Sequence, residues 1–410
     1  YKGRMMSENL NNLPTDLRGV SNLTVDAVLG MTDLVESLHA TILRGAGAPA
    51  EPAAQRTRGI TGLVYKSIRT ITKGVGKGVD VPLARLSVAR GADESPPGRE
   101  AAVAVLNGVL GDHLVARDNP LAIPMQFRRE GRPLSKETLS AAIQQSNGRL
   151  VIMVHGLGMN DLQWKRQGHD HGVALARDLG VEPLYLHYNT GRHISENGRE
   201  LADLLQSLVA QAERPLTLVI VAHSMGGLVA RSACYYGEEG GCTWLDSLQK
   251  MLFLGTPHHG APLEKGGSWV DVVLGMNAYS APFSRLGKIR SSGTTDLRYG
   301  NVVDEDWNGR DRFGLNGDQR VPVPLPQGVA CYAIAASTSK DFTVLGEDII
   351  GDGLVKVSSA LGHHKQAALN LSIPEAQQWV GQDMNHLGLL NDPAVYEKMR
   401  EWLGELAKPC

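Results

Sequence analysis

The pattern of apolar positions changes character near residue 120. Before that point the spacing is helical. Between residues 17 and 43, Val20, Leu23, Val28, Met31, Leu34, Val35, Leu38 and Ile42 recur as on one helix face. Residues 45–58, rich in Gly, Ala, Pro and Arg, read as a linker. A second helical stripe of Val64, Ile68, Ile71, Val75 and Val79 covers 61–79, with Lys66, Arg69, Lys73 and Lys77 lying off it. A break at 91–98 contains Pro96 and Pro97, and a third helix is predicted over 99–111.

Beyond residue 120 the rhythm is that of alternating strands and helices. Pro124 to Leu134 predicts a hairpin turning at Glu130-Gly131, and Ser135 suits the cap of a helix through Gln145. Arg149 to His155 is a continuous apolar run, as in a strand buried on both faces. Further strands are predicted at 184–188, 216–222, 250–255, 329–336 and finally about 365–373, with helices at 196–212 and 225–236. Such alternation predicts an α/β fold with a mostly parallel sheet flanked by helices. The stretch 261–325 interrupts the rhythm and is too long for an ordinary connection, so it reads as an inserted cap. The predicted division is an N-terminal helical extension over 1–118 and an α/β domain over 119–410.

Composition narrows the function classes. The 410 residues carry a formal net charge of −2, and aromatic residues make up 5%. Neither property suits a nucleic-acid surface, so no nucleic-acid partner is expected. The four cysteines are dispersed and form no close metal-ligand pair; Cys234 and Cys242 read as free thiols, with one bridge as the alternative. No apolar run reaches the ~20 residues of a membrane-spanning helix. The first thirty residues lack the features of a signal peptide, and Met5 or Met6 suits a native start, so a cytoplasmic location is expected. The basic helix at 61–79 either packs its stripe on the α/β domain or lies peripherally on an anionic membrane.

The strongest chemical signal is Val219 to Arg231, an apolar strand running into Ala222-His223-Ser224-Met225-Gly226 and then a helix. This is the pattern of a nucleophile elbow, G-x-S-x-G. The sharp turn lifts Ser224 above the sheet at a helix start, and the residues two before and two after it, Ala222 and Gly226, must be small. One βαβ step earlier, Val154-His155-Gly156-Leu157-Gly158 follows a strand and could supply a second N–H to an oxyanion, beside that of Met225. A serine needs a base, and after Ser224 come His258, His259, His363, His364 and His386. Acids near the last strands include Asp341, Glu347, Asp348 and Asp352.

These residues carry a resemblance. Ala222 to Gly227 resembles the elbow of small bacterial lipases, and Gly255-Thr-Pro-His-His-Gly260 is similar to a segment of the lipase and GPI inositol-deacylase-like branch of the α/β hydrolases. Asp352-Gly-Leu-Val355, Ser358-Ser359 and Asn385-His386-Leu387 resemble the stretch of bacterial triacylglycerol lipases that holds the triad acid and base. The resemblance implies the α/β-hydrolase fold, with Ser224, His386 and Asp352 as a triad and the Leu157 and Met225 N–H groups as the oxyanion hole. It implies a carboxylesterase or lipase, with an acyltransferase as the alternative. The apolar residues Trp269, Val270, Val273 and Leu274 of the cap would then meet the acyl chain of an ester or lipid substrate. Where such lipases often place a calcium-binding Asp after His-Leu, this chain has Gly388, so no metal or cofactor is expected, although Asp383 or Asp392 could substitute.

Overall fold

A computed structural model describes residues 15–26, 29, 66, 69–70, 73, 97–261, 291–311, 317–339 and 351–404. The chain forms two compact units, residues 1–96 with 116–121, and residues 97–115 with 122–410.

In the first unit, residues 15–26 are helical, as the spacing predicts. Val20, placed on the buried stripe by its spacing, is instead 56% exposed. Residues 116–121 join this unit: Asn119 Nδ2 donates to the Gly19 carbonyl at 3.1 Å. Of the basic helix expected over 61–79, the described residues 66, 69, 70 and 73 are helical; the rest lies outside the described residues.

The second unit is built on an eight-stranded sheet in the order β2-β1-β4-β3-β5-β6-β7-β8. Its strands are β1 (Gln126–Arg129), β2 (Arg132–Pro133), β3 (Arg149–Val154), β4 (Glu182–His187), β5 (Thr217–His223), β6 (Leu248–Leu254), β7 (Ala330–Ala336) and β8 (Gln378–Gly381). The β1–β2 and β1–β4 pairs are antiparallel; every other pair is parallel. The hairpin turns at Glu130-Gly131, both at positive φ. Alternate residues of the central strands feed two apolar layers. Leu150, Ile152, Leu218 and Ile220 face one side, and Val151, Met153, Val219 and Val221 face the other. That double burial is why these strands read as unbroken apolar runs.

The helices are α1 (Pro97–Ala116), α2 (Lys136–Gln145), α3 (His171–Leu179), α4 (Ile194–Ala210), α5 (Met225–Glu239), the short α6 (Ser292–Asp296) and α7 (Val357–Ala360), and α8 (Pro393–Leu403). Ser135 caps α2, its side chain accepting from the Thr138 N–H. Among the described residues no helix is long and apolar enough to cross a membrane.

Three features depart from the pattern. Helix α1, which the pattern groups with the N-terminal extension, makes its contacts in the sheet-bearing unit. The Gly108 carbonyl accepts from Ser291 Oγ at 2.6 Å, the Gly111 carbonyl from Asn189 Nδ2 at 3.0 Å, and Asn107 Oδ1 from the Ile123 N–H at 3.0 Å. Second, the described part of the expected cap, 291–311 and 317–325, does not stand apart. Leu297, Val302, Val303 and Val323 belong to the main apolar layer, and Ser232 Oγ of α5 donates to the Val302 carbonyl at 2.6 Å. Third, the final strand is not at 365–373 but at Gln378–Gly381, pairing with β7. Leu369, Leu371 and Ile373 are all buried, so they alternate as in a strand. Their backbone bonds are nevertheless local: the Leu371 N–H donates to Gly362 and the Ile373 N–H to Leu371. Pro374 then follows, with no N–H to give a ladder.

Candidate active site

Strand β5 becomes helix α5 across one residue, Ser224, whose φ of 54° and ψ of −127° are those of the first central residue of a type II′ turn, a place that favours Gly. A side-chain-bearing residue in that region stores about 1–3 kcal/mol of strain, which the surroundings must hold. They do so through the Ser224 N–H, which donates to the Leu254 carbonyl of β6 at 2.8 Å. Gly226 cannot be larger, because a Cβ there would lie 2.5 Å from the Val154 carbonyl oxygen. The β3 loop passes equally close to the serine: a Cβ on Gly156 would lie 2.9 Å from Ser224 Cβ. The two backbone segments expected to donate to an oxyanion, at Leu157 and Met225, therefore flank Ser224.

The orientation of the Leu157 amide is fixed from behind. His155 Nδ1 donates to the Gly156 carbonyl at 3.0 Å. In a trans peptide the carbonyl and the next N–H point in opposite directions, so holding that carbonyl turns the Leu157 N–H the other way. The His155 ring stacks on Tyr188 at 4.5 Å, and Tyr188 Oη donates to the His155 carbonyl at 2.7 Å. The Gly158 N–H donates to Thr190 Oγ1 at 3.0 Å. Burial pushes His155 down to about 3, so the ring is neutral.

His386 lies in the loop after β8. Its Nδ1 donates to Asp352 Oδ2 at 2.6 Å. The other carboxylate oxygen, Oδ1, accepts from the Leu354 and Val355 N–H groups at 2.9 and 2.8 Å. The His386 N–H donates to the Asp352 carbonyl at 3.0 Å. Both side chains are buried. With Nδ1 committed to Asp352, Nε2 is the ring atom left to exchange a proton. The neighbouring His223 sits 4.7 Å from the His386 ring, and burial drives its pKa well below the ordinary value, so it brings no charge beside His386.

Gly156, Leu157, Ser224, Leu354, His386 and Leu387 line one cleft of about 250 Å³. The structure thus brings together five sequence-predicted residues: Ser224 and Met225 at the elbow, Leu157 beside it, and the His386–Asp352 pair. Trp269, Val270, Val273 and Leu274 lie outside the described residues, as do the rival acids Asp341, Glu347 and Asp348. Three of the four rival histidine rings meet other partners. His258 Nδ1 accepts from Arg231 Nη1 at 3.5 Å. His259 Nδ1 accepts from Arg320 Nη2 at 3.3 Å, and His364 Nε2 stands 3.8 Å from Asp318. Asp392, one of the two alternative calcium ligands, caps α8 by accepting from the Ala394 N–H at 2.8 Å. Cys234, Cys242 and Cys331 are free thiols.

Several cleft residues escape the sequence pattern. Val105 of α1, Gln163, Lys165 and Arg166 all line it. No motif marks them; only the neighbouring Trp164, a lone aromatic in a polar loop, hints at an anchored segment.

A family model described as "PGAP1-like alpha/beta domain" matches residues 145–316. No curated protein matches the chain. Among solved structures, a lipase from Bacillus licheniformis in its mature form shares 14% identity at a TM-score of 0.42, over 69% of this chain and 98% of that one. Lipase B from Aspergillus fumigatus shares 12% at a TM-score of 0.35, over 64% of this chain and 56% of that one. The phospholipase PlaB from Legionella pneumophila shares 14% at a TM-score of 0.35, over 52% of this chain and 45% of that one.

Proposed function

We propose that the chain is an α/β hydrolase, a serine esterase or lipase acting on carboxylic esters. The observation that carries this reading is the buried His386–Asp352 pair opening on the same cleft as a strained Ser224. In the mechanism, His386 Nε2 takes the Ser224 hydroxyl proton as Oγ attacks the ester carbonyl. Asp352 holds the Nδ1–H tautomer and stabilises the imidazolium. The oxyanion is received by the Leu157 and Met225 N–H groups, each worth about 3 kcal/mol in such sites. His386 returns the proton to the departing alkoxide, leaving an acyl-enzyme. A water, deprotonated by His386, then releases the acid. The same acyl-enzyme would serve an acyltransferase if an alcohol replaced that water; added alcohol acceptors separate the two by product.

The test is covalent labelling with a fluorophosphonate and turnover of p-nitrophenyl esters of graded chain length. Ser224→Ala is expected to lose labelling and nearly all turnover. Labelling that persists in a folded Ser224→Ala protein would assign the nucleophile elsewhere. Lipid esters as substrates, the acyl contacts of Trp269, Val270, Val273 and Leu274, a cytoplasmic location and membrane contact through 61–79 belong to the same proposal.

A further inference from the structure

The cleft that holds Ser224 is lined by both apolar and cationic side chains. Val105, Leu157, Met159, Leu387 and Leu390 supply its apolar lining, and Gln163, Lys165 and Arg166 its polar, cationic lining. No described acidic side chain lines the cleft, and neither Lys165 nor Arg166 has an ion-pair partner among the described residues. The two cations do not sit on a loose loop. Arg166 and His169 exchange backbone hydrogen bonds of 2.8 and 2.9 Å across a tight turn. Gln167 and Gly168 make that turn at φ of 49° and 82°. Trp164, fully buried, anchors the segment from below. Two further bonds tie it to the stretch just after His386. Asn391 Nδ2 donates to Gln167 Oε1 at 2.8 Å, and His171 Nε2 donates to the Leu389 carbonyl at 3.0 Å.

Burial pushes His171 down to about 4, so this tether is a neutral imidazole. A positive lining is therefore built into the cleft. An ester of two apolar halves makes no use of it, whereas a bound anion gains charge-assisted hydrogen bonds there. Resting on the serine-esterase reading of this cleft, we infer that the substrate is an ester carrying an anionic group, carboxylate or phosphate, which Lys165 and Arg166 bind while the apolar lining takes the acyl chain.

Two substrate pairs test this and locate the anion. On the acyl side, mono-p-nitrophenyl glutarate is compared with p-nitrophenyl valerate. On the alcohol side, 1-decanoylglycerol 3-phosphate is compared with 1-decanoylglycerol. In at least one pair the anionic ester is expected to have a kcat/KM about tenfold higher at low salt, the advantage shrinking towards about 0.5 M NaCl as screening sets in. In the Lys165→Ala/Arg166→Ala protein that ratio is expected to collapse towards one, and in Arg166→Lys to survive in part. A ratio near one in both pairs, or a ratio unchanged in the double variant, overturns the inference while leaving the esterase reading standing. Absence of both fluorophosphonate labelling and turnover of all four esters overturns the esterase reading itself, and this inference with it.

Discussion

At Asp352 the two carboxylate oxygens have separate tasks. Oδ1 is held by two backbone N–H groups, and Oδ2 faces His386 Nδ1. An Asn there would keep its carbonyl oxygen on the backbone donors and present an amide N–H₂ to the ring. His386 Nδ1 would then have to accept, and its proton would move to Nε2, where Ser224 needs a base. Asp352→Asn is therefore expected to lower kcat by about 10⁴ with an unchanged circular dichroism spectrum. Near wild-type turnover would remove Asp352 from the mechanism. The ease of reading these residues from sequence differs for a physical reason. Ser224 is legible because strand, turn and helix are contiguous, and the small residues its elbow requires stand beside it. Asp352 and His386 lie in loops with several acids and histidines nearby; the resemblance singles out Asp352, and the resemblance together with a place after the last strand singles out His386. Lys165 and Arg166 were illegible, since their place in the cleft depends on Gln167 meeting Asn391, 224 positions away.

At the level of elements, the alternating apolar pattern located β3, β5, β6 and β7 to within two residues, because strands buried on both faces leave a continuous signal. It misplaced the last strand because Leu369, Leu371 and Ile373 imitate the two-residue period while their backbone turns locally. Helix α1 is the consequential case. Local spacing shows that it is helical but not what it packs against. Its Glu100 pairs at 2.8 Å with the buried Arg128, which also pairs at 3.1 Å with Asp161, the residue that accepts from the hairpin-turn N–H of Gly131. Its Val105 lines the cleft. A protein lacking residues 1–96 is accordingly expected to keep esterase turnover within a few-fold. One lacking 1–116 is expected to be insoluble or inactive, because the core under α1 is uncovered and Arg128 loses a partner. Equal activity of the two would show that α1 has no part in the site. Activity lost already in the first would place a needed element within 1–96.

For the molecule as a whole, the sensitive axis is acid. Burial holds five imidazoles neutral: His155 and His259 near 3, His171 near 4, and His223 and His258 well below the ordinary value. Each has a folded-state pKa below its unfolded one, near 6.5. Their contribution to stability is therefore complete above pH 6.5 and is lost as pH falls from there towards the folded values. Each costs about 1.4 kcal/mol per pH unit in that window. Melting temperature is expected to be flat from pH 7 to 8 and to fall steeply between 6.5 and 5, with calorimetry showing proton uptake on unfolding. A flat profile down to pH 5 would mean that these rings are protonated, or exposed, in the native protein.

The hydrogen bond from Ser291 to the Gly108 carbonyl spans 183 positions. Ribosomes add about 5–20 residues per second, so α1 emerges about ten to forty seconds before that partner exists. During that interval α1 gains its partners at Ile123, Arg128 and Asn189 but not the Ser291 bond. The cleft is thus completed late in synthesis, since Leu354 and His386 also line it, and a nascent chain stalled before residue 291 would carry Ser224 without the His386–Asp352 pair.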